Sequence, residues 1–177
     1  MAERSVAHLW TMRLAYIGLA LVIVFFHLIP LETVPRRWAP PDLLLAFTLA
    51  WVVRRPDFVP VLVIAVVMLM ADLLFQRPPG LMALLVVLGC EYLKYRTYTP
   101  GESSFAAEWV AVCITIIAIT LLNRLVLGLL LVPPPPLGPS LVQMVLTALV
   151  YPLVVLVTQL TFGVRKPTPG ESGERPA

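Results

Sequence analysis

Long apolar runs, broken only by short clusters of proline, glycine and charge, constrain this chain more than any other feature of its sequence. Residues 109–132 contain one charged side chain, Arg124, and residues 140–164 contain none. Each run exceeds the roughly 20 apolar residues with which a helix crosses about 30 Å of hydrocarbon. Composition closes off the soluble alternative. Charged residues make up 13% of the 177 residues, against about 25% in a soluble domain, which is too little polar material to cover a water-facing surface. The expected class is therefore all-α: one polytopic membrane bundle over residues 1–166, with helices at about 14–31, 41–53, 58–75, 81–95, 109–132 and 140–164. The tail, 167–177, is polar and rich in Pro and Gly, and reads as a disordered cytoplasmic segment.

Proline marks the boundaries. Pro40-Pro41, Pro56, Pro78-Pro79-Gly80 and the prolines of 133–136 fall between runs, and only Pro152 lies deep inside one, where it should kink the last helix. The second and fourth helices are short. At 1.5 Å per residue they reach only about 20 Å, so they must recruit flanking residues, thin the bilayer or be partly re-entrant. The first run follows a basic start like a signal peptide, but His27-Leu28-Ile29-Pro30 offers no small-residue cleavage site, so it should remain as an anchor.

Lys and Arg set the orientation, because short cytoplasmic loops carry the excess. With the N-terminus inside, Arg4, Arg13, Arg54, Arg55, Lys94, Arg96, Arg165, Lys166 and Arg175 are cytoplasmic, Arg36, Arg37 and Arg77 are external, and Arg124 is left in the membrane. Both termini then lie in the cytoplasm of a cell inner membrane. The net charge of +3 belongs to these rims, where it orients helices and meets anionic lipid, rather than to a nucleic-acid surface. Glu91, Lys94 and Arg96 form a cytoplasmic rim on helix 4, with Tyr92, Tyr95 and Tyr98 as an interfacial belt.

Ionisable groups inside such runs are costly and mark candidate sites. His27, Asp42 and Asp72 fall at similar depth near the outer ends of their helices; Arg124, about 12 Å below the outer end of helix 5, can snorkel toward them, and with Asn123 they form a candidate intramembrane polar cluster. The structural reading makes Asp42 an N-terminal cap and pairs Asp72 with Arg124; the catalytic reading makes the two aspartates the centre of an intramembrane enzyme. No enzyme signature accompanies them: the serines sit in loops, tails or helix ends, HExxH is absent, and neither aspartate follows Gly-x-Gly. Two histidines and two separated cysteines, Cys90 and Cys113, give no metal-ligand spacing and no expected disulfide. Neither metal nor cofactor is expected. Gly18, Ala20, Ala46 and Ala50 supply the small residues on which a partner's helix could pack.

The stretch Ala39-Pro40-Pro41-Asp42-Leu43-Leu44-Leu45, then Ala71-Asp72-Leu73-Leu74-Phe75, then Pro78-Pro79-Gly80-Leu81, resembles the rod-shape-determining protein family MreD. The specific part covers about residues 39–93, and the rest agrees in size and hydropathy. Where the family usually has a Gly before the aspartate of the third helix, Val67-Met68-Leu69-Met70 stands here, a departure that bears on how closely that helix packs. The resemblance implies a non-enzymatic scaffold subunit of the elongasome. It would bind MreC and, through it, the polymerase RodA, a class B penicillin-binding transpeptidase and MreB filaments, in support of cell shape and lateral peptidoglycan synthesis. It also implies a fold similar to the substrate-binding S components of energy-coupling-factor transporters. A small-molecule transport component of that type is the rival reading, for which Trp38, Gln76, Asn123 and Gln143 are the candidate ligand-facing residues.

Overall fold

The computed structural model describes residues 2–29, 39–98 and 104–162. Arg36, Arg37, Trp38, Arg165, Lys166, Arg175 and the proposed disordered tail 167–177 lie outside the described residues. Within them the protein is all-helical, with six α-helices: α1 (Ala2–Leu28), α2 (Leu43–Arg54), α3 (Val61–Leu74), α4 (Leu81–Tyr98), α5 (Phe105–Leu129) and α6 (Leu137–Phe162). A 3-10 turn, Pro56–Phe58, joins α2 to α3.

Boundaries differ from the sequence reading where local chemistry overrides hydropathy. Neither Pro nor Gly interrupts residues 2–13, so α1 continues backward past the apolar run, and Thr11 Oγ1 donates to Ala7 O within it. Helix 3 starts at Val61 rather than 58 because Pro60 is its N-cap and Pro56–Phe58 forms the separate turn. Helices α3 and α5 both stop in a Schellman motif. Arg77 N donates to Asp72 O (3.0 Å) and Gln76 N to Leu73 O (3.3 Å); Val132 N donates to Leu127 O (3.0 Å) and Leu131 N to Gly128 O (3.2 Å). The left-handed residue of each is not glycine but Gln76 (φ 54°) and Leu131 (φ 57°).

Helix α2 is the axis of the bundle. Every residue from Leu44 to Val53 is buried, with Trp51, Val52, Leu49 and Ala46 fully enclosed. The other helices surround it in the neighbour order α1, α3, α4, α5, α6, with α3 against α4 the most extensive packing. This explains why twelve residues suffice for α2: at about 18 Å it is too short to face lipid across a bilayer, but a helix enclosed by protein can end where polar groups are received by protein rather than by hydrocarbon.

Three helices are long and apolar enough to cross a membrane: Val6–Leu28, Phe105–Leu129 and Leu137–Phe162. Their outward faces expose apolar side chains along their length, among them Phe25, Phe26, Leu121, Leu125, Leu149, Leu153 and Leu160, and α3 adds Leu62 and Val66. A monomer in water does not tolerate an apolar belt of this extent, whereas lipid does. Inside it lies one contiguous core, in which Tyr16, Phe47, Trp51 and Phe58 are in ring contact. Tyr16 buries its hydroxyl against Thr48 Oγ1 (2.9 Å), which itself donates to Leu44 O (2.8 Å), so these two hydroxyls are satisfied internally, whereas the buried Trp51 Nε1 beside them has no acceptor among the described residues.

Pro152 sits inside an uninterrupted α6. Lacking an N–H, it leaves Ala148 O without its helical donor, and Trp109 Nε1 from α5 takes that place at 2.9 Å.

Candidate functional site

Because successive helices run in alternate directions, their polar ends collect at two opposite ends of the bundle. At one, the starts of α2, α4 and α6 meet the ends of α1, α3 and α5. Asp42 caps α2, its Oδ1 accepting from Leu45 N (3.0 Å), as the structural reading of the sequence has it. Its backbone N–H donates to Thr147 Oγ1 of α6 (2.8 Å), and its Oδ2 lies 3.8 Å from Arg77 Nη1. Asp72 is buried, and its Oδ2 accepts from Gly80 N and Ala83 N, each at 3.1 Å. The carboxylate of α3 thereby receives the free amides at the start of α4, a favourable place for negative charge. Gly80 is needed at the turn, since it adopts φ 85°.

Asp72 and Arg124 do not pair. Arg124 Nη1 donates instead to Pro135 O (2.8 Å) and Ser140 Oγ (3.2 Å), tying α5 to the loop that leads into α6. The physical reason is distance along the chain: backbone groups adjacent in the fold satisfy each residue locally, so neither charge is left seeking the other. His27 packs its ring on Phe75, centroids 4.5 Å apart. Of the five cluster residues, Asp42, Asn123 and Arg124 line one cavity of about 460 Å³, together with Gln76, Arg77 and Gln143; Asp72 and His27 are not part of its lining. The hydroxyls of Thr120, Ser140 and Thr147 also line it, and its apolar part includes Leu45, Leu81, Met82, Ile116, Leu127 and Met144.

The small residues are a clearer correction. Ala20, Ala46 and Ala50 are buried inside the bundle itself, so no partner helix can pack on them; Gly18 alone of the four is exposed, with nothing near its Cα that a side chain would strike.

The opposite end holds a group that sequence reasoning missed. Glu108 is buried, its Oε1 accepting from Tyr151 Oη of α6 (2.9 Å) and from Arg54 Nε at the end of α2 (3.2 Å). Arg54 also lies over the Phe105 ring, 5.9 Å from its centroid. The available signal was a lone carboxylate beside Trp109 at the edge of an apolar run, but starting that helix at 109 put Glu108 in a loop. Nearby, Lys94 Nζ bridges Glu91 Oε1 (2.9 Å) and Val59 O (3.3 Å), which fixes the end of α4 to the turn before α3.

Both cysteines are unpaired, Cys90 buried and Cys113 part-exposed. Among the described residues no three His, Cys, Asp or Glu side chains gather as metal ligands. Comparison of the chain with protein-family models, curated proteins and solved structures gave no match.

Proposed function

We propose that this protein is a non-catalytic scaffold subunit of the MreD type, crossing the cell inner membrane six times with both termini in the cytoplasm. In this reading it binds MreC and through it supports cell-shape control and lateral peptidoglycan synthesis, on a fold similar to the S components of energy-coupling-factor transporters. The observation that carries the reading is what the motif residues do. Pro40-Pro41-Asp42 starts and caps the central helix, and Asp72 with Pro78-Pro79-Gly80 clamps the α3–α4 hairpin. Each aspartate directs its carboxylate at backbone amides of a helix start, so the residues that carry the resemblance build the bundle. A protein whose marked residues are structural acts by contact, and the exposed apolar belt, with Gly18 on the outward side of α1, provides surface for a partner's transmembrane helix.

Affinity purification from native membranes, with mass spectrometry of the recovered proteins, tests this directly. MreC should be recovered with the wild-type chain, and Gly18→Leu should reduce that recovery while leaving the protein in the membrane. Recovery of an ATP-driven energising module in place of MreC would overturn the scaffold reading in favour of a transport component.

A further inference from the structure

The cavity at the Asp42 end is more than a packing defect. Its volume, about 460 Å³, lies in the range of small-molecule sites, which are largely apolar with a few convergent polar groups. Its polar wall is over-supplied with hydrogen-bond donors. The side-chain amides of Asn123 and Gln143 make no hydrogen bond among the described residues, and Arg124 uses only Nη1 on the protein, leaving Nε and Nη2. Arg77 contributes a second guanidinium, partly offset by Asp42. Among the lining residues, Arg77 and Arg124 against Asp42 leave one net positive charge. A monoanion balances that charge. A phosphate diester carries that single charge, its two terminal oxygens suit the planar guanidinium fork of Arg124, and the two amides can donate to their remaining lone pairs. The Leu, Met and Ile side chains that line the same cavity suit an alkyl portion attached to that group.

We propose that this cavity is a binding site for a monoanionic phosphate ester with an apolar part, its phosphate held by Arg124, Asn123 and Gln143. The ester can arrive as the headgroup of an anionic phospholipid or as a small soluble phosphate ester, and the chemistry recognised is the same. The site stands apart from the scaffold reading, since neither MreC binding nor its absence bears on it.

Full-length protein purified in a neutral maltoside detergent can be titrated with dihexanoyl phosphatidylglycerol, with its zwitterionic counterpart dihexanoyl phosphatidylcholine, and with the soluble monoanionic diester dibutyl phosphate, binding being read by thermal shift and native mass spectrometry. The phosphatidylglycerol probe should bind at least about ten-fold more tightly than the phosphatidylcholine probe, and Arg124→Gln should remove that preference, as expected for loss of a charge-assisted contact. Arg124 also holds the α5–α6 loop, so Gln143→Leu and Asn123→Leu, which remove no side-chain hydrogen bond made among the described residues, provide the second arm and should each weaken binding several-fold without lowering the unliganded melting temperature. Lys94→Gln, at the opposite end, should change nothing. Dibutyl phosphate binding with the same dependence on Gln143 and Asn123 identifies a soluble ester as the source; binding of the phosphatidylglycerol probe alone identifies lipid. Equal affinity for the anionic and zwitterionic probes, or undiminished binding of the anionic probe in the Gln143 and Asn123 variants, overturns the proposal.

Discussion

At the scale of single residues, the fold turns on carboxylates placed where backbone amides need them. Asp72 is buried and serves two amides of the α4 start. Asp72→Ala should therefore cost on the order of 3 kcal/mol, since one buried and one part-buried amide lose their acceptor, read as a lower unfolding temperature in detergent. Because Arg124 has its own partners on the α5–α6 loop, Asp72→Asn and Arg124→Gln should be additive to within about 0.5 kcal/mol in a double-mutant cycle. A coupling well above that would put the two side chains in contact. Glu108 behaves differently, because it is shared between two partners. Glu108→Ala should cost about 3–5 kcal/mol by leaving the part-buried Arg54 guanidinium unpaired, whereas Tyr151→Phe should cost only about 1 kcal/mol, the net value of one hydrogen bond. Replacing both Arg54 and Glu108 by leucine or methionine should recover most of the larger loss. If the double variant is as unstable as Glu108→Ala, the charge of Arg54 is not the source of the penalty.

At the scale of helices, close approach depends on one glycine in α4. A Cβ at Gly89 would sit 2.8 Å from Thr115 Cγ2 and 3.1 Å from Ile119 Cδ1 of α5. Within membranes, helices associate through such packing rather than through a hydrophobic effect, so Gly89→Ala should cost about 1–3 kcal/mol by overpacking. Thr115→Ser removes the offending methyl and keeps the hydroxyl that bonds Ala111 O; combined with Gly89→Ala it should restore part of the loss, and a combination no better than the single change would place the strain elsewhere. The existence of all six helices was legible in hydropathy and proline spacing, as was the cap at Asp42. The α4–α5 contact, the enclosure of α2 and the burial of Ala46 and Ala50 were not. Lipid and protein interior are both apolar, so a run such as Leu43–Arg54 reads the same whether its sides meet acyl chains or other helices. The Asp72–Arg124 pair failed for a related reason. Depth along a run can be counted from sequence, but the azimuth of a side chain around its helix, and the nearest backbone group, come only from packing. Three of the candidate ligand-facing residues, Gln76, Asn123 and Gln143, do line one cavity, because depth alone was enough to gather them at one end.

At the scale of the whole molecule, the consequence of alternating helices is segregation of charge. Among the described residues, Arg13, Arg54, Arg55, Lys94 and Arg96 gather at the end where α2 and α4 finish, and Arg77 and Arg124 at the end where they begin. Contacts across elements tie each end together: Arg13 Nη2 to Asp57 O, Arg54 to Glu108 and Lys94 to Val59 O at the first, Arg77 to Asp42 at the second. In the proposed topology the richer end is the cytoplasmic one, because short cytoplasmic loops carry the excess of Lys and Arg. The proposed function has a six-crossing bundle with its Arg54 end in the cytoplasm and its cavity facing outward. Single-cysteine variants in a Cys90→Ala, Cys113→Ala background test it with a membrane-impermeant maleimide on intact cells. Gly138 and Asp57 are both exposed and lie at opposite ends. Gly138→Cys should be labelled in intact cells and Asp57→Cys only after permeabilisation; labelling in the reverse order, or of both sites in intact cells, would contradict the account.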